Sequence, residues 1–224
     1  MKTAMILAAG RGERLRPFTD HHPKALCTLY NKPLIAHHLQ NLAQSGYQRV
    51  IINHAYLGDQ IRRFVNYYHD HGLEIVFSPE PPGGLETGGG IVNALHVLGS
   101  EPFITLNADI YIDYDLTQLS LPAQSLAHVI LVQKPSYRTL GDYGLSQNGT
   151  LNNTERDYIF SGLTVYRPEF FKHSMTGRYS VTPLMRQLTE LNHITGEVHQ
   201  GTWFDIGTPE QLRMAEKKKM NLSK

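Results

Sequence analysis

Four cations, Arg11, Arg14, Arg16 and Lys24, lie within or just behind a loop holding Gly10 and Gly12. Glycines let backbone N–H groups approach an anion closely, and guanidinium and ammonium groups neutralise it. The apolar run Met5 to Ala9 precedes the loop and reads as a buried strand. A strand that ends in such a loop suggests a nucleotide phosphate site. Two familiar phosphate loops do not fit: no Gly-Lys-Ser/Thr is present, and the third glycine of a dinucleotide fingerprint is replaced by Leu15.

Three further segments carry chemistry. Leu85-Glu86-Thr87-Gly88-Gly89-Gly90 opens a helical stretch, where first-turn amides are free for a ligand and bare backbone suits a planar group. Leu106-Asn107-Ala108-Asp109 ends an apolar strand with a carboxylate, suited to holding Mg²⁺ against phosphate oxygens. Trp203-Phe204-Asp205-Ile206-Gly207-Thr208-Pro209 sets a second carboxylate between apolar residues, where it is costly to bury without a cationic partner. Thr208 also reads as a helix N-cap, with Pro209 in the first helical position.

Together these residues resemble the sugar-1-phosphate nucleotidyltransferases, whose pattern Leu-Ala-Ala-Gly-x-Gly-x-Arg-Leu-x-Pro followed by Pro-Lys is matched from Leu7 to Lys24. Glu13 departs from the Thr or Ser common in that family, and Ala108 from its glycine. The resemblance runs from Met5 to Thr208. It implies that Leu7, Ala8, Ala9, Gly10, Arg11, Gly12, Glu86, Gly88 and Gly89 contact the nucleotide. It implies catalytic roles for Arg14 at the leaving pyrophosphate and Lys24 between the two phosphates. Asp109 and Asp205 would be the ligands of Mg²⁺. Asn107, Asp142, Tyr143, Gly144 and Gly162 would face the sugar, although Gln147-Asn148-Gly149 stands where the family often has Glu-Lys-Pro.

The implied reaction joins a nucleoside triphosphate to a sugar 1-phosphate and releases pyrophosphate. Ile52-Asn53-His54-Ala55-Tyr56-Leu57-Gly58 and the Leu85–Ile91 segment resemble the branch that uses UTP and N-acetylmuramate 1-phosphate in bacterial cell-wall recycling. Thymidylyl transfer to glucose 1-phosphate and guanylyl transfer to mannose 1-phosphate stay open. So do a catalytically silent sugar-nucleotide-binding regulator and an NTP hydrolase using Glu86 as general base.

These residues need a scaffold that brings distant segments to one cleft. Strands are expected at Thr3–Ala8, Arg49–Asn53, Glu74–Ser78 and Pro102–Asn107, alternating with helices at Pro33–Ser45, Leu57–His69 and Gly88–Leu98. Asn31 is the expected cap of the first of these helices. Beyond them, strands are expected at Ala127–Gln133 and Asp157–Tyr166, a hairpin around Asn148-Gly149, and helices at Thr182–Leu191 and Pro209–Lys219. The β-α-β alternation predicts a Rossmann-like three-layer α/β fold with a mainly parallel, mixed central sheet, in one domain over residues 1–224. Ligands then lie beyond the carboxyl ends of the strands.

Composition narrows the partners. A net charge of +1 gives no footprint for nucleic acid. No apolar stretch of about 18 residues occurs, so no membrane contact is expected. The single cysteine, Cys27, fits a reducing cytoplasm. The twelve histidines are scattered, as surface or supporting residues would be. Oligomeric state is left open.

Overall fold

The structure is a computed structural model describing residues 1–68, 72–135 and 138–222, with the side chains of residues 219–222 left out. Strand β1 (Thr3–Leu7) leads into the glycine loop, a 3-10 turn at Glu13–Leu15, helix α1 (Phe18–His21) and a second 3-10 turn at Lys24–Leu26. A tight hairpin of β2 (Thr28–Leu29) and β3 (Lys32–Pro33) delivers the chain to α2 (Leu34–Gln44). Then follow β4 (Arg49–His54), α3 (Gly58–Tyr67), β5 (Glu74–Pro79), α4 (Glu86–Leu98), β6 (Phe103–Asn107), β7 (Ile110–Ile112) and β8 (Ala127–Gln133). The remainder comprises β9 (Gly144–Leu145), β10 (Leu151–Asn152), β11 (Tyr158–Tyr166), α5 (Thr182–Glu190), β12 (Ile194–His199), β13 (Trp203–Asp205) and α6 (Pro209–Leu222).

Seven strands form the main sheet in the order β12-β8-β11-β6-β1-β4-β5. Within it β11 runs antiparallel to both its neighbours, and the other pairs are parallel. Because successive side chains on a strand point to opposite faces, each apolar run feeds two cores. Ala4, Ile6, Val50, Ile52, Ile104 and Leu106 pack with Ile35 and Leu39 of α2 and with Ile61 and Val65 of α3. Met5, Ile51, Phe103 and Val129 pack on the other face with Ile91 and Ala94 of α4 and Met185 of α5. Helices therefore cover both faces, as the alternation predicts.

The chain leaves β1 toward β4 and β5 on one side, then crosses to β6 on the other. β1 is thus a topological switch point, where a crevice opens beyond the strand ends. Leu7 pairs with Asn53 and with Asn107, so the glycine loop emerges between two asparagines on neighbouring strands.

Some local elements differ from expectation. Asn31 does not cap α2. Tyr30 and Asn31 both have positive φ and form the two-residue turn between β2 and β3, while Pro33 precedes the helix. The predicted α3 end, His69, lies outside the described residues. The strands β7 and β12 are additional to those expected: β7 is only three residues long, and β12 carries Gly196 and Glu197 within a run of few apolar residues.

A third apolar cluster joins Leu15, Cys27, Leu29 and Leu34 with Ile206 and Ala215. It fastens the segment after the glycine loop to β13 and α6. α6 starts as expected: the Thr208 hydroxyl accepts from the Gln211 amide at 3.2 Å. The Gln211 side chain accepts from the Gly207 amide at 3.0 Å.

Candidate active site

The glycine loop does two separate jobs. Gly12 adopts φ +69°, and a Cβ there would stand 3.0 Å from Thr19 and 3.1 Å from the Lys24 stem. Its carbonyl accepts from the Thr19 hydroxyl at 2.8 Å. Gly12 therefore lets the loop fold back closely onto Lys24. Gly10 differs: a Cβ there would meet nothing within 4 Å, and the residue borders open cleft. Glu13 does not crowd the loop interior. Its side chain is largely exposed and pairs with Arg11 at 3.6 Å.

Lys24 reaches across to Asp109, its ammonium in a direct ion pair with Oδ2. Asp205 arrives from the far end of the sequence. β7 and β13 pair antiparallel with Asp205 opposite Ile110, and the Ile206 amide donates to the Asp109 carbonyl at 2.9 Å. The two acids are thereby held at the same end of one short ladder. Burial and the nearby Asp109 charge push the Asp205 carboxyl up, while Lys24, Arg14 and Arg138 pull it down. A carboxylate whose charge is disfavoured by burial and by a neighbouring acid is stabilised by a cation placed between the two. Among the described residues no cluster of three or more metal-ligating side chains occurs. Arg14 stands beside this pair, since a Cβ on Gly207 would meet its guanidinium at 3.1 Å and Asp205 at 3.3 Å.

A cleft of about 880 Å³ runs from Asp109 and Asn107 past Leu7 and residues 9–13 to Tyr56, Glu80, residues 82–84, Glu86, Thr87 and Arg178. Arg11 lies over the Tyr56 ring at 4.4 Å. Arg178 pairs with Glu86 at 3.3 Å. Ala8 is buried beneath this surface and donates its amide to Asn53.

The second glycine loop needs correction. Gly88 and Gly89 do not offer free amides to a ligand; both donate to the Tyr179 carbonyl, at 3.0 and 3.1 Å. Their missing side chains make room for the segment around Gly177 and Tyr179, which lies over the start of α4. The Thr87 hydroxyl accepts from the Val181 amide at 3.0 Å and fixes the same crossing. At this helix start the cleft surface comes from Glu86 and Thr87. Glu86 holds a positive φ of 59°.

On the other side of Asp109, the bulge in β11 between Phe160 and Thr164 brings Gly162 against Asn107. Asp142, Tyr143 and Gly144 do not border the cleft. Asp142 accepts from the Phe160 amide at 2.9 Å. Tyr143 is buried, with the Arg186 guanidinium over its ring at 4.2 Å. Gly144 packs tightly against Glu155 and Asn152. Arg138 links this region to the acids, 3.9 Å from Asp142 and within the field of Asp205.

Glu80, Arg138 and Arg178 escape sequence reasoning, and Asn53 and Tyr56 lie in a segment that marks the substrate branch without a site role of their own. Asn53 carried the same signal as Asn107, a polar residue closing an apolar run. Arg138 and Arg178 sit in irregular segments with no periodicity to mark them. Among the described residues three histidines are buried rather than superficial: His38, His54 and His128. His38 stands behind the Asp109 turn, against the backbone of Asn107 and Ile110.

Comparison with known proteins places the chain among relatives. The profile described as "Nucleotidyl transferase" matches residues 3–221. The N-acetylmuramate alpha-1-phosphate uridylyltransferase of Neisseria meningitidis is 42% identical over 222 residues, covering 95% of this chain and 96% of that protein. Its namesake in Caulobacter vibrioides is 30% identical over 231 residues, covering 96% of each. The crystal structure of HddC from Yersinia pseudotuberculosis superposes with a TM-score of 0.82 at 23% identity, over 98% of this chain and 100% of that one. That likeness concerns the fold. A family match over nearly the whole length, together with relatives of 42% and 30% identity, shows that this chain belongs to the nucleotidyl transferase family.

Proposed function

We propose that this chain transfers UMP from UTP to N-acetylmuramate 1-phosphate, giving a UDP-sugar and pyrophosphate. The observation that carries the reading is the gathering of Arg14, Lys24 and Asp205 around Asp109, which borders a cleft walled by the glycine loop. The choice of UTP and of the amino sugar acid is supported by the 42% identical relative of that name.

A phosphate oxygen of the sugar 1-phosphate attacks the α-phosphorus. The new P–O bond forms as the bond to the bridging oxygen breaks, and pyrophosphate leaves with the electron pair. The attacking oxygen is already ionised, so no general base is needed. The chain's work is alignment and charge neutralisation. Lys24 lies between the two phosphates, and Arg14 meets the charge that develops on the pyrophosphate. Gly10 leaves space for the triphosphate, and Arg11 adds charge along the same wall. Tyr56, Glu86 and Thr87 border the far end of the cleft, where the base lies. Asn107 faces the sugar, with Gly162 packed against it.

The donor set fits Mg²⁺, which is bound through one or two carboxylates together with substrate phosphates. Asp109 and Asp205 would hold it, and when bound it screens the triphosphate charge. The reaction is assigned to the cytoplasm, where nucleoside triphosphates are made. Among the described residues no helix is long and apolar enough to cross a membrane.

The test is pyrophosphate release with Mg²⁺ across UTP, dTTP, GTP and CTP, each with N-acetylmuramate, glucose or mannose 1-phosphate. The expected result is release with UTP and N-acetylmuramate 1-phosphate. Release only with another pair keeps the chemistry and discards the substrate assignment. Nucleotide binding without any release replaces the enzyme with a silent binding protein.

A further inference from the structure

The two glycine loops are joined by a short chain of hydrogen bonds beneath the cleft. The Ala8 amide, at the root of the first loop, donates to Asn53 Oδ1 at 2.7 Å. Asn53 Nδ2 donates to Glu80 Oε1 at 2.6 Å. The Leu85 amide, at the root of the second loop, donates to Glu80 Oε2 at 2.6 Å. Glu80 is itself anchored through its own amide to the His54 carbonyl at 2.9 Å. Gly90 makes room for the crossing: a Cβ there would come 2.5 Å from Glu80 and 2.8 Å from Asn53.

The order of donors and acceptors in this chain is forced. Both ends are backbone N–H groups, which can only donate. Between them, three hydrogen bonds need three acceptor oxygens and one side-chain donor. One amide and one carboxylate meet that count. Two amides leave a donor facing a donor, whichever way they are flipped, and two carboxylates lack the donor unless one takes up a proton, at a cost at neutral pH. Burial raises the cost of the Glu80 charge, and the Leu85 amide and Asn53 stabilise it.

We propose that Asn53 and Glu80 are positioning residues that tie the two glycine loops together and so set the width of the nucleotide cleft. Both also border that cleft, so any change in the tie moves its walls. The role rests on the reading of the cleft as the nucleotide site.

The two possible orders of amide and carboxylate give a direct test. Asn53→Asp alone places two carboxylates together, and Glu80→Gln alone places two amides. The double variant N53D/E80Q restores the count. The carboxylate then at position 53 accepts from Ala8 and from the side-chain amide at position 80, whose oxygen accepts from Leu85. Each single variant is expected to raise the UTP concentration for half-maximal pyrophosphate release roughly tenfold, the cost of one unsatisfied buried group. The double variant should return to within about threefold of the wild type, a strong non-additivity between touching residues. Thermal unfolding midpoints should follow the same order, lowered in both singles and recovered in the double.

A double variant as poor as the two single effects combined would overturn the tie, as would single variants that respond to UTP like the wild type. Recovery of the unfolding midpoint without recovery of UTP dependence would show Glu80 touching the nucleotide directly, which also overturns a purely positioning role. The unfolding series needs no substrate. A wild-type protein that releases pyrophosphate with no pair therefore sinks the proposed function, while the tie is still judged by the midpoints.

Discussion

Asp205 and Asp109 reach one another from positions far apart in sequence, and Lys24 is paired with Asp109. An ion pair in a partly buried site pre-orients the ammonium at little further cost when a phosphate enters. If the carboxylates hold the metal of the proposed reaction, Asp205→Asn should lower kcat roughly a hundredfold to a thousandfold, the scale of losing one electrostatic contact at a reacting centre. The Michaelis constant for the nucleotide should move far less, because the proposed nucleotide contacts lie along the glycine loop. Steady-state kinetics on the purified variant separates the two. Equal losses in kcat and in nucleotide affinity would place Asp205 in substrate binding instead.

The loop after β1, taken as an element, separates stability from ligand space. Gly12→Ala forces an L side chain into a left-handed backbone and against the Lys24 stem. It should cost about 1–2 kcal/mol in urea unfolding and also slow turnover, because Lys24 must move. Gly10→Ala meets no protein atom within 4 Å and should leave unfolding unchanged. Its methyl group stands at the cleft surface, so nucleotide affinity should fall instead. If Gly10→Ala destabilises the fold while sparing nucleotide affinity, the division of labour between the two glycines is wrong. The same distinction explains the second glycine run. Gly88 and Gly89 serve the packing of the segment at residues 177–179, whereas sequence alone could not separate room for a ligand from room for another stretch of chain.

For the molecule as a whole, stability is tied to pH through a buried histidine behind the Asp109 turn. Burial, then the charge on His37, pushes the His38 imidazole down to about 4. The folded ring therefore stays neutral in a range where the unfolded chain takes up a proton. The sign follows: this contribution to stability is fully present above about pH 6.5, shrinks as pH falls, and levels off below about pH 4, where both states are protonated. The integrated effect is on the order of 3 kcal/mol by proton linkage. Denaturant unfolding of the wild type and of His38→Gln at pH 7 and pH 5 checks it. The wild type should lose more stability between the two pH values than the variant, and equal losses would exclude the histidine as their source.

Locally encoded elements were legible before any fold was known. Apolar runs with abrupt polar ends marked β1, β4, β6 and β8, helical spacing marked α2, α3 and α4, and the Thr208-Pro209 cap marked the start of α6. The glycine loop and Lys24 were legible because those residue types at that spacing are restrictive, and the two acids because each closes or interrupts an apolar run within a segment that resembles the family's. Which groups face the cleft was settled only by folding. Strand order placed Asn53 and Asn107 on either side of β1, and the β7–β13 ladder brought Asp205 to Asp109. The covering segment at Tyr179 consumed the amides of Gly88 and Gly89. Each of these depends on contacts between residues distant in the chain. A local pattern carries no information about such a partner until the chain has folded around it.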